Sequence, residues 1–239
     1  MSLPVRAPSL ARLVAGGVVD AELAALAWLL LEDGIPVLVV GLEEVTRDDL
    51  LDALAAALPA SRRPNPAAPV GEGRLVRVPG TLATSTPPGS LRAALARTTA
   101  RSGLAATIEG TDLAEALAVL RRQGLSEDEA SFLGTVLVLG PVADRPVADR
   151  SVAEPGAAMP GRDQRVVASH YLRPVARDAG GHVQRLGPAV LATWDAEHGA
   201  YDHFEWGIYP ELAARTGRRA GDLEAAHRGR AEELRSRAH

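Results

Sequence analysis

Two residue types are missing from this chain of 239 residues, and aromatic residues make up only 3% of it. Cysteine is absent, which excludes disulfides, thiol catalysis and cysteine metal sites. All 26 basic residues are arginine, so a phosphate-loop lysine, a Schiff-base lysine and a lysine general base are excluded as well. These two absences remove several classes of enzyme from consideration.

The charge and the apolar runs of the sequence limit its partners. The 26 basic residues are balanced by 30 acidic ones, so no positive field attracts nucleic acid or an anionic membrane. The apolar run Leu23–Leu31 is too short to cross a bilayer, and the N-terminal stretch lacks the apolar core of a secretory signal. We therefore expect a cytoplasmic protein that binds no nucleic acid and does not insert into membranes.

The most informative stretch extends from Gly34 to Leu58. Its β-branched apolar run Ile35–Val40, which ends at Gly41, predicts a buried parallel strand. The residues after it repeat along one side of an amphipathic helix, at Leu50, Leu51, Leu54, Ala57 and Leu58. A strand, a tight loop and a helix in this order form the outline of a phosphate-loop unit.

The chemistry of that loop does not suit phosphate. Counting G-x-x-x-x-G-K-[ST] from Gly41 places Thr46 at the second glycine, Arg47 at the lysine and Asp48 at the hydroxyl residue. Thr46 and Asp49 also fit a capping box, which would satisfy the donors of the helix internally. Carboxylates that repel an anion surround the single arginine, at Glu43, Glu44, Asp48 and Asp49. We expect no bound nucleotide and no other cofactor.

The segment from Ser9 to Leu54 resembles part of the type II and type IV secretion and pilus-assembly ATPases. In that family a helical L-x-x-L-V-x-x-G-x-x-x-x-E-L-x-x-L stretch precedes the strand, the phosphate loop and a T-L-L-N-A-L helix, which Asp49–Leu54 matches here. The glycines and the lysine of the family's loop are missing. The resemblance implies a RecA-like P-loop fold.

A second, shorter resemblance to this family involves Ala106–Gly110 and the helix after it. The family has a T-x-H-A box at this point, and Glu109 stands where its histidine is expected. The span between the phosphate loop and this box is too short for the family's acidic strand and glutamate. The resemblance therefore implies a protein that has lost three catalytic elements.

The whole pattern predicts an α/β fold with a mainly parallel sheet covered by helices, followed by an antiparallel hairpin and a helical tail. We expect residues 1–139 to form the α/β domain, 140–164 a low-complexity loop containing repeated P-V-A-D-R, and 165–239 a part that completes the same domain. The predicted strands are Arg74–Val78, Leu104–Ile108, Thr135–Leu139, Arg165–Pro174, Val183–Trp194 and Ala200–Trp206. The predicted helices are Ser9–Ala15, Asp20–Glu32, Leu91–Arg101 with Ser90 as its cap, Leu113–Gln123, Ser126–Phe132, Glu211–Thr216 and Asp222–Arg237.

Other candidate sites carry weaker chemistry. Glu109 as a general base lacks a nucleophile or metal partner, and Ser90 lacks the G-x-S-x-G context of a hydrolase. A group of metal-binding residue types has a spacing that matches no ligand pattern, and alternation along a strand separates its members: His198, Asp202, His203 and Glu205. We expect no catalytic residue and no metal.

Five of the eight aromatic residues lie between positions 194 and 209. Trp206, Tyr209 and Phe204 form a candidate partner surface, because aromatic residues are enriched at the centres of interfaces. The alternative is that these rings fill a core otherwise built from Ala, Val and Leu. Exposure of the side chains distinguishes the two interpretations.

Two functional hypotheses remain. The first is a catalytically inactive protein, similar to the secretion and pilus ATPases, that serves as a structural or regulatory partner through binding to a protein or to itself. The alternative is a ligand-binding protein or an enzyme that has rebuilt a pocket in the former nucleotide site.

Overall fold

The computed structural model describes residues 8–64, 74–98, 102–142, 164–177, 180 and 182–238. Its strands are β1 (Val37–Gly41), β2 (Val76–Leu82), β3 (Leu104–Glu109), β4 (Thr135–Pro141), β5 (Gln164–Tyr171), β6 (Ala176–Arg177), β7 (Val183–Gln184), β8 (Ala189–Asp195) and β9 (Ala200–His203). Seven of them form one mixed sheet in the order β2-β3-β1-β4-β5-β8-β9, and β6 pairs separately with β7. The strands β2, β3, β1 and β4 are parallel, whereas β5, β8 and β9 are antiparallel.

The helices are α1 (Leu10–Ala15), α2 (Ala21–Glu32), α3 (Glu44–Ala57), α4 (Ser90–Leu95), α5 (Leu113–Arg122), α6 (Glu127–Ser131), α7 (Tyr209–Thr216) and α8 (Ala220–Ala238), with a short 3-10 helix at Glu205–Gly207. Two of their predicted caps are confirmed. Asp20 Oδ1 accepts a hydrogen bond from the Leu23 amide at 2.8 Å, and Ser126 and Glu129 form a capping box. Within the described residues, no helix is both long and apolar enough to cross a membrane.

The central strand β1 is buried on both faces. Val37 and Val39 pack into a cluster that includes residues of α1, α2 and α3, whereas Leu38 and Val40 pack into a second cluster with residues of α4, α5 and α6. All four side chains are 0% exposed. Because successive side chains of a strand point to opposite faces, β1 links the two helical layers. This confirms the α/β class and the central place of the strand.

A third cluster extends the first helical layer over the antiparallel strands. Tyr171 of β5 and Leu191 of β8 pack there against α2, α7 and α8. The expected antiparallel pairing of the two C-terminal strands is confirmed, since Ala168 of β5 lies opposite Thr193 of β8. Their predicted bounds are wrong, because the first strand ends at Tyr171 and the predicted Val183–Trp194 is divided into β7 and β8. The segments before and after residue 142 therefore contribute to the same sheet, while 143–163, most of the predicted low-complexity loop, lies outside the described residues.

Several predicted boundaries are wrong for local reasons. The strand predicted from Ile35 begins at Val37, because Pro36 has no amide hydrogen for the ladder and contributes only its carbonyl, to the Thr135 amide at 2.9 Å. The strand predicted to end at Trp206 ends at His203, where the chain turns into the 3-10 helix. The strand predicted over 74–78 extends over 76–82 with an irregular register.

The predicted cap of α4 is also wrong. The N-cap is Gly89, whose φ of 107° is left-handed and favours glycine. Ser90 lies inside the helix, and its hydroxyl donates to Gln123 Oε1 at 3.1 Å, so it is held in a structural contact. The predicted end of this helix, Arg101, lies outside the described residues.

We expect Leu54→Ala to lower the free energy of unfolding by about 2–5 kcal/mol, because Leu54 is fully buried in α3 and its loss leaves a cavity. Leu42→Ala is the matched control, since Leu42 lies just after β1 and is 64% exposed. That control should change the stability by about 0.5 kcal/mol or less in urea unfolding. Equal losses for the two variants would contradict the packing described.

Candidate functional site

The first candidate site lies at the carboxyl ends of the central parallel strands. Gly41 of β1 lies opposite Glu109 of β3, and α3 and α5 begin directly after these strands. Ligands of open α/β sheets bind in the crevice outside the carboxyl ends of the strands. The residues at this edge therefore decide whether an anion can bind.

The predicted phosphate loop is not an open loop. α3 begins directly after its N-cap Glu43, only two residues beyond the end of β1, so Thr46, Arg47 and Asp48 lie within the helix. The prediction that Thr46 caps the helix in a box with Asp49 is wrong. From within the helix the Thr46 hydroxyl instead donates to Glu43 Oε2 at 2.9 Å.

Arg47 folds back onto the end of β1. Its guanidinium Nη1 donates to the carbonyl oxygen of Gly41, and the whole residue is 3% exposed. Burial lowers the pKa of Arg47, while the charges of Glu109, Asp48 and Glu44 act in the opposite direction. In the described part of the chain Arg47 Nε is buried without a hydrogen bond.

Gly41 makes this position of Arg47 possible. A Cβ atom at residue 41 would lie 3.3 Å from Arg47 Cγ and 3.0 Å from Leu139 Cβ. These distances leave too little room for a side chain at residue 41, so the glycine allows the aliphatic part of the Arg47 side chain to pack against β1. The glycine predicted to begin a phosphate loop therefore has a packing role here.

Carboxylates occupy part of the neighbouring helix terminus, at the start of α5. Asp112 Oδ1 accepts from the Glu115 amide at 2.8 Å, and Glu115 Oε2 accepts from the Thr111 amide at 2.8 Å and its hydroxyl at 3.0 Å. Asp48, the carboxylate at the hydroxyl position of the motif, lies 3.4 Å from Arg77 Nη2 of β2. The N-cap Glu43 of α3 makes no side-chain cap hydrogen bond, so at the start of α3 the carboxylates oppose an anion through their charge.

The second candidate site joins the N-terminus of α2 to the end of β9. His203 Nε2 lies 2.7 Å from Asp20 Oδ2 and 3.4 Å from Glu22 Oε2. His203 Nδ1 lies 3.4 Å from Glu205 Oε2 on its other side. One ligand atom each from Asp20, Glu22 and His203 lies within 4.8 Å of the others, so these three side chains can hold a metal ion.

The structure regroups the residues that the sequence placed together. Of the four predicted neighbours it brings only His203 and Glu205 into contact. His198 instead pairs through Nδ1 with Asp195 Oδ2 at 2.5 Å, and Asp202 is exposed on β9. Sequence reasoning missed Asp20 and Glu22 because Asp20 and His203 are separated by 183 positions.

The charges around His203 change its proton affinity. Desolvation lowers the pKa of His203, but the hydrogen bond to Asp20 and the negative charges of Asp20 and Glu205 together outweigh it and raise the value to about 10. Glu205 is 6% exposed, so this carboxylate has little access to solvent. The metal-free cluster therefore holds an imidazolium between carboxylates.

The aromatic residues near this cluster divide into exposed and packed members. Trp206 is 73% exposed and Phe204 is 43% exposed. Tyr209 is half-buried, its hydroxyl is 2.6 Å from His227 Nδ1, and burial raises its pKa. Trp194 contacts Tyr201 in an edge-to-face arrangement with 5.1 Å between ring centroids. Trp206 and Phe204 thus have the exposure that a partner surface requires, whereas Tyr209 and Trp194 are packed against other side chains.

Two comparisons with known proteins found no relative. No protein-family model matches the sequence, and no curated protein matches it significantly.

The charge on His203 predicts a pH dependence of stability. Its folded pKa of about 10 lies above the ordinary histidine value of 6.5, so its contribution to stability is fully present below pH 6.5 and is lost as the pH rises through 10. Urea unfolding with a chelator present should show that the free energy of unfolding falls between pH 6.5 and pH 10. This fall should be smaller in His203→Gln than in the parent protein. The same decline in His203→Gln as in the parent would contradict the assignment, and His198→Gln serves as the exposed control.

Proposed function

We propose that this chain is a catalytically inactive, RecA-like relative of the secretion and pilus-assembly ATPases, and that it works by binding a protein partner or a second copy of itself. The observation that carries the proposal is the buried Arg47, whose guanidinium contacts the carbonyl of Gly41 at the edge where a nucleotide phosphate would bind. A central parallel strand followed at once by a helix agrees with the family resemblance.

The chemistry of phosphoryl transfer supports an inactive protein. The reaction needs a cradle for the phosphates, a metal ligand and a group that orients the nucleophile. The two-residue connection between β1 and α3 forms no cradle for phosphates. The guanidinium of Arg47 donates a hydrogen bond to the backbone carbonyl of Gly41. Glu109, at the position of the family's histidine, is exposed. The missing phosphate cradle is therefore the requirement whose absence supports an inactive protein.

A cavity elsewhere in the molecule does not favour the rebuilt-pocket alternative. It has a volume of about 280 Å³ and is lined in part by Leu172, Arg173 and Arg185. The Leu172 amide donates to the carbonyl of Gly134 at 2.7 Å, just before β4 begins. The cavity is therefore near the amino ends of the parallel strands, at the opposite edge from the former nucleotide position.

The surface that suits a partner surrounds Trp206. Glu205, directly before it, and Ile208, two positions after it, are 6% and 4% exposed, so the segment is anchored while the Trp206 ring projects into solvent. A tryptophan held in this way binds with little loss of conformational freedom, and tryptophan is enriched among the residues that dominate interfaces. Phe204 adds a second exposed ring to the same segment.

We expect calorimetry with ATP and Mg²⁺ to show no binding, because the arginine is buried and carboxylates surround it. A dissociation constant in the micromolar range, about 8 kcal/mol of binding free energy, would contradict the proposal. In that case Arg47→Ala would be decisive if it abolished binding while Arg121→Ala, a change at an exposed helical arginine, did not. A rebuilt nucleotide site centred on Arg47 would then be established.

We expect Trp206→Ala to weaken association by about 30-fold, the loss typical of an interface hot spot, while the thermal unfolding temperature stays unchanged. Phe132→Ala is the matched control, because Phe132 is an aromatic residue that is 55% exposed at the end of α6. Sedimentation over a range of protein concentrations tests self-association. Quantitative capture with a cross-linker compares how strongly the same variants bind other proteins. Indistinguishable behaviour of the two variants would refute the role of Trp206.

A further inference from the structure

The side chains between α2 and β9 have the arrangement of a metal site with an oriented histidine. The distance of 3.4 Å from His203 Nε2 to Glu22 Oε2 matches the spacing of neighbouring ligand atoms around one ion, whereas the 2.7 Å to Asp20 Oδ2 is a hydrogen-bond distance a few tenths of an ångström shorter. With bonds of about 2.0–2.2 Å, tetrahedral neighbours are about 3.4 Å apart and octahedral neighbours about 3.0 Å apart. Small rotations of the side chains would place all three atoms around a common centre.

Each carboxylate keeps one oxygen fixed and turns the other towards this centre. Asp20 Oδ1 accepts from the Leu23 amide at 2.8 Å, which leaves Oδ2 facing His203. Glu22 Oε1 accepts from Arg235, which leaves Oε2 facing the same imidazole nitrogen. The helix cap and the arginine therefore orient the two candidate ligands before any ion arrives.

Glu205 provides an independent indication of a ligand. Its side chain is 8% exposed, and within the described residues its Oε2 is buried without a hydrogen bond, 3.4 Å from His203 Nδ1. Histidines that bind metals usually donate the other ring N–H to a carboxylate, which fixes the tautomer and the ring orientation. An ion at Nε2 would leave the proton on Nδ1, directed at this otherwise unsatisfied oxygen.

We propose that Asp20, Glu22 and His203 bind one divalent transition-metal ion of the zinc type, and that Glu205 positions the histidine. Binding places the ion on the Nε2 lone pair and releases to solvent the proton that Nε2 otherwise shares with Asp20. Three protein ligands of the imidazole and carboxylate kinds leave a further position for water, as in open zinc sites. An adjoining cavity of about 160 Å³, lined in part by Glu22, Glu205 and Tyr209, has room for that water.

The ion would join two distant parts of the chain. It would tie the start of α2 to the end of β9 and to the 3-10 helix that carries Trp206. The site thus has a structural consequence that does not depend on the proposed function. If the test of the partner surface fails, direct measurement of metal binding still tests the metal site independently.

The test uses the full chain, freed of metal by a chelator and then transferred to chelator-free buffer. Calorimetry with Zn²⁺ should show one equivalent bound with a dissociation constant of micromolar or below, and Co²⁺ should give visible absorption bands of a site with mixed nitrogen and oxygen ligands. Saturation with Zn²⁺ should also raise the thermal unfolding temperature by a few degrees, because an ion that binds only the folded state stabilises that state.

Four variants identify the ligands. Asp20→Asn keeps a good helix cap while it removes the charge of a ligand, and it should weaken Zn²⁺ binding at least tenfold, as should His203→Gln. Glu205→Gln should weaken binding by about tenfold and shift the Co²⁺ spectrum, because it acts on the orientation of the imidazole. His198→Ala removes an exposed histidine with its own aspartate partner and should change nothing.

Two outcomes would overturn the proposal. One is the absence of saturable, one-equivalent binding by the unmodified chain up to millimolar Zn²⁺, Co²⁺ and Mn²⁺. The other is binding that survives both Asp20→Asn and His203→Gln, or that is lost in His198→Ala, since the ion would then lie elsewhere. Circular dichroism of every variant separates loss of a ligand from loss of the fold, and Asp20→Asn decides the matter if His203→Gln does not fold.

Discussion

The burial of β1 between two helical layers is the constraint on which the rest of the structure depends. Its backbone pairs with β3 on one side and β4 on the other, so Val37–Val40 have a strand partner on both sides. Its side chains alternate between the cluster with α1, α2 and α3 and the cluster with α4, α5 and α6. A strand that is paired along both edges and packed on both faces cannot shift its register by one residue, because the shift would move its side chains to the opposite clusters.

The tight packing around β1 also determines the chemistry at its carboxyl end. Because α3 starts two residues after the strand, Arg47 is carried inward and contacts Gly41 from within the helix. The position of the guanidinium then follows from the fold rather than from a ligand. At the same edge Asp112 caps α5, and Glu44 and Asp48 add negative charge near Arg47, so the charge pattern and the packing act in the same direction against an anion.

The C-terminal part of the chain makes a different use of charge. α8 packs on α1 and α2, and its Arg235 contacts Glu22, while β9 brings His203 against the start of α2. The carboxylates gathered there require a positive charge, which either an imidazolium or a metal ion can supply. The 3-10 helix that follows is held by its buried residues, and it presents Trp206 outward as a consequence of that anchoring.

The sequence by itself determined the elements whose pattern is local. The burial of β1, the cap of α2 at Asp20 and the capping box at Ser126 follow from residues within a few positions, so the apolar run and cap chemistry were enough to predict them. Tertiary structure decided where long side chains point. It placed Arg47 inside, separated the exposure of Trp206 from that of Tyr209, and joined Asp20 to His203 across 183 positions. No local pattern encodes such contacts, because they depend on which elements the sheet brings together.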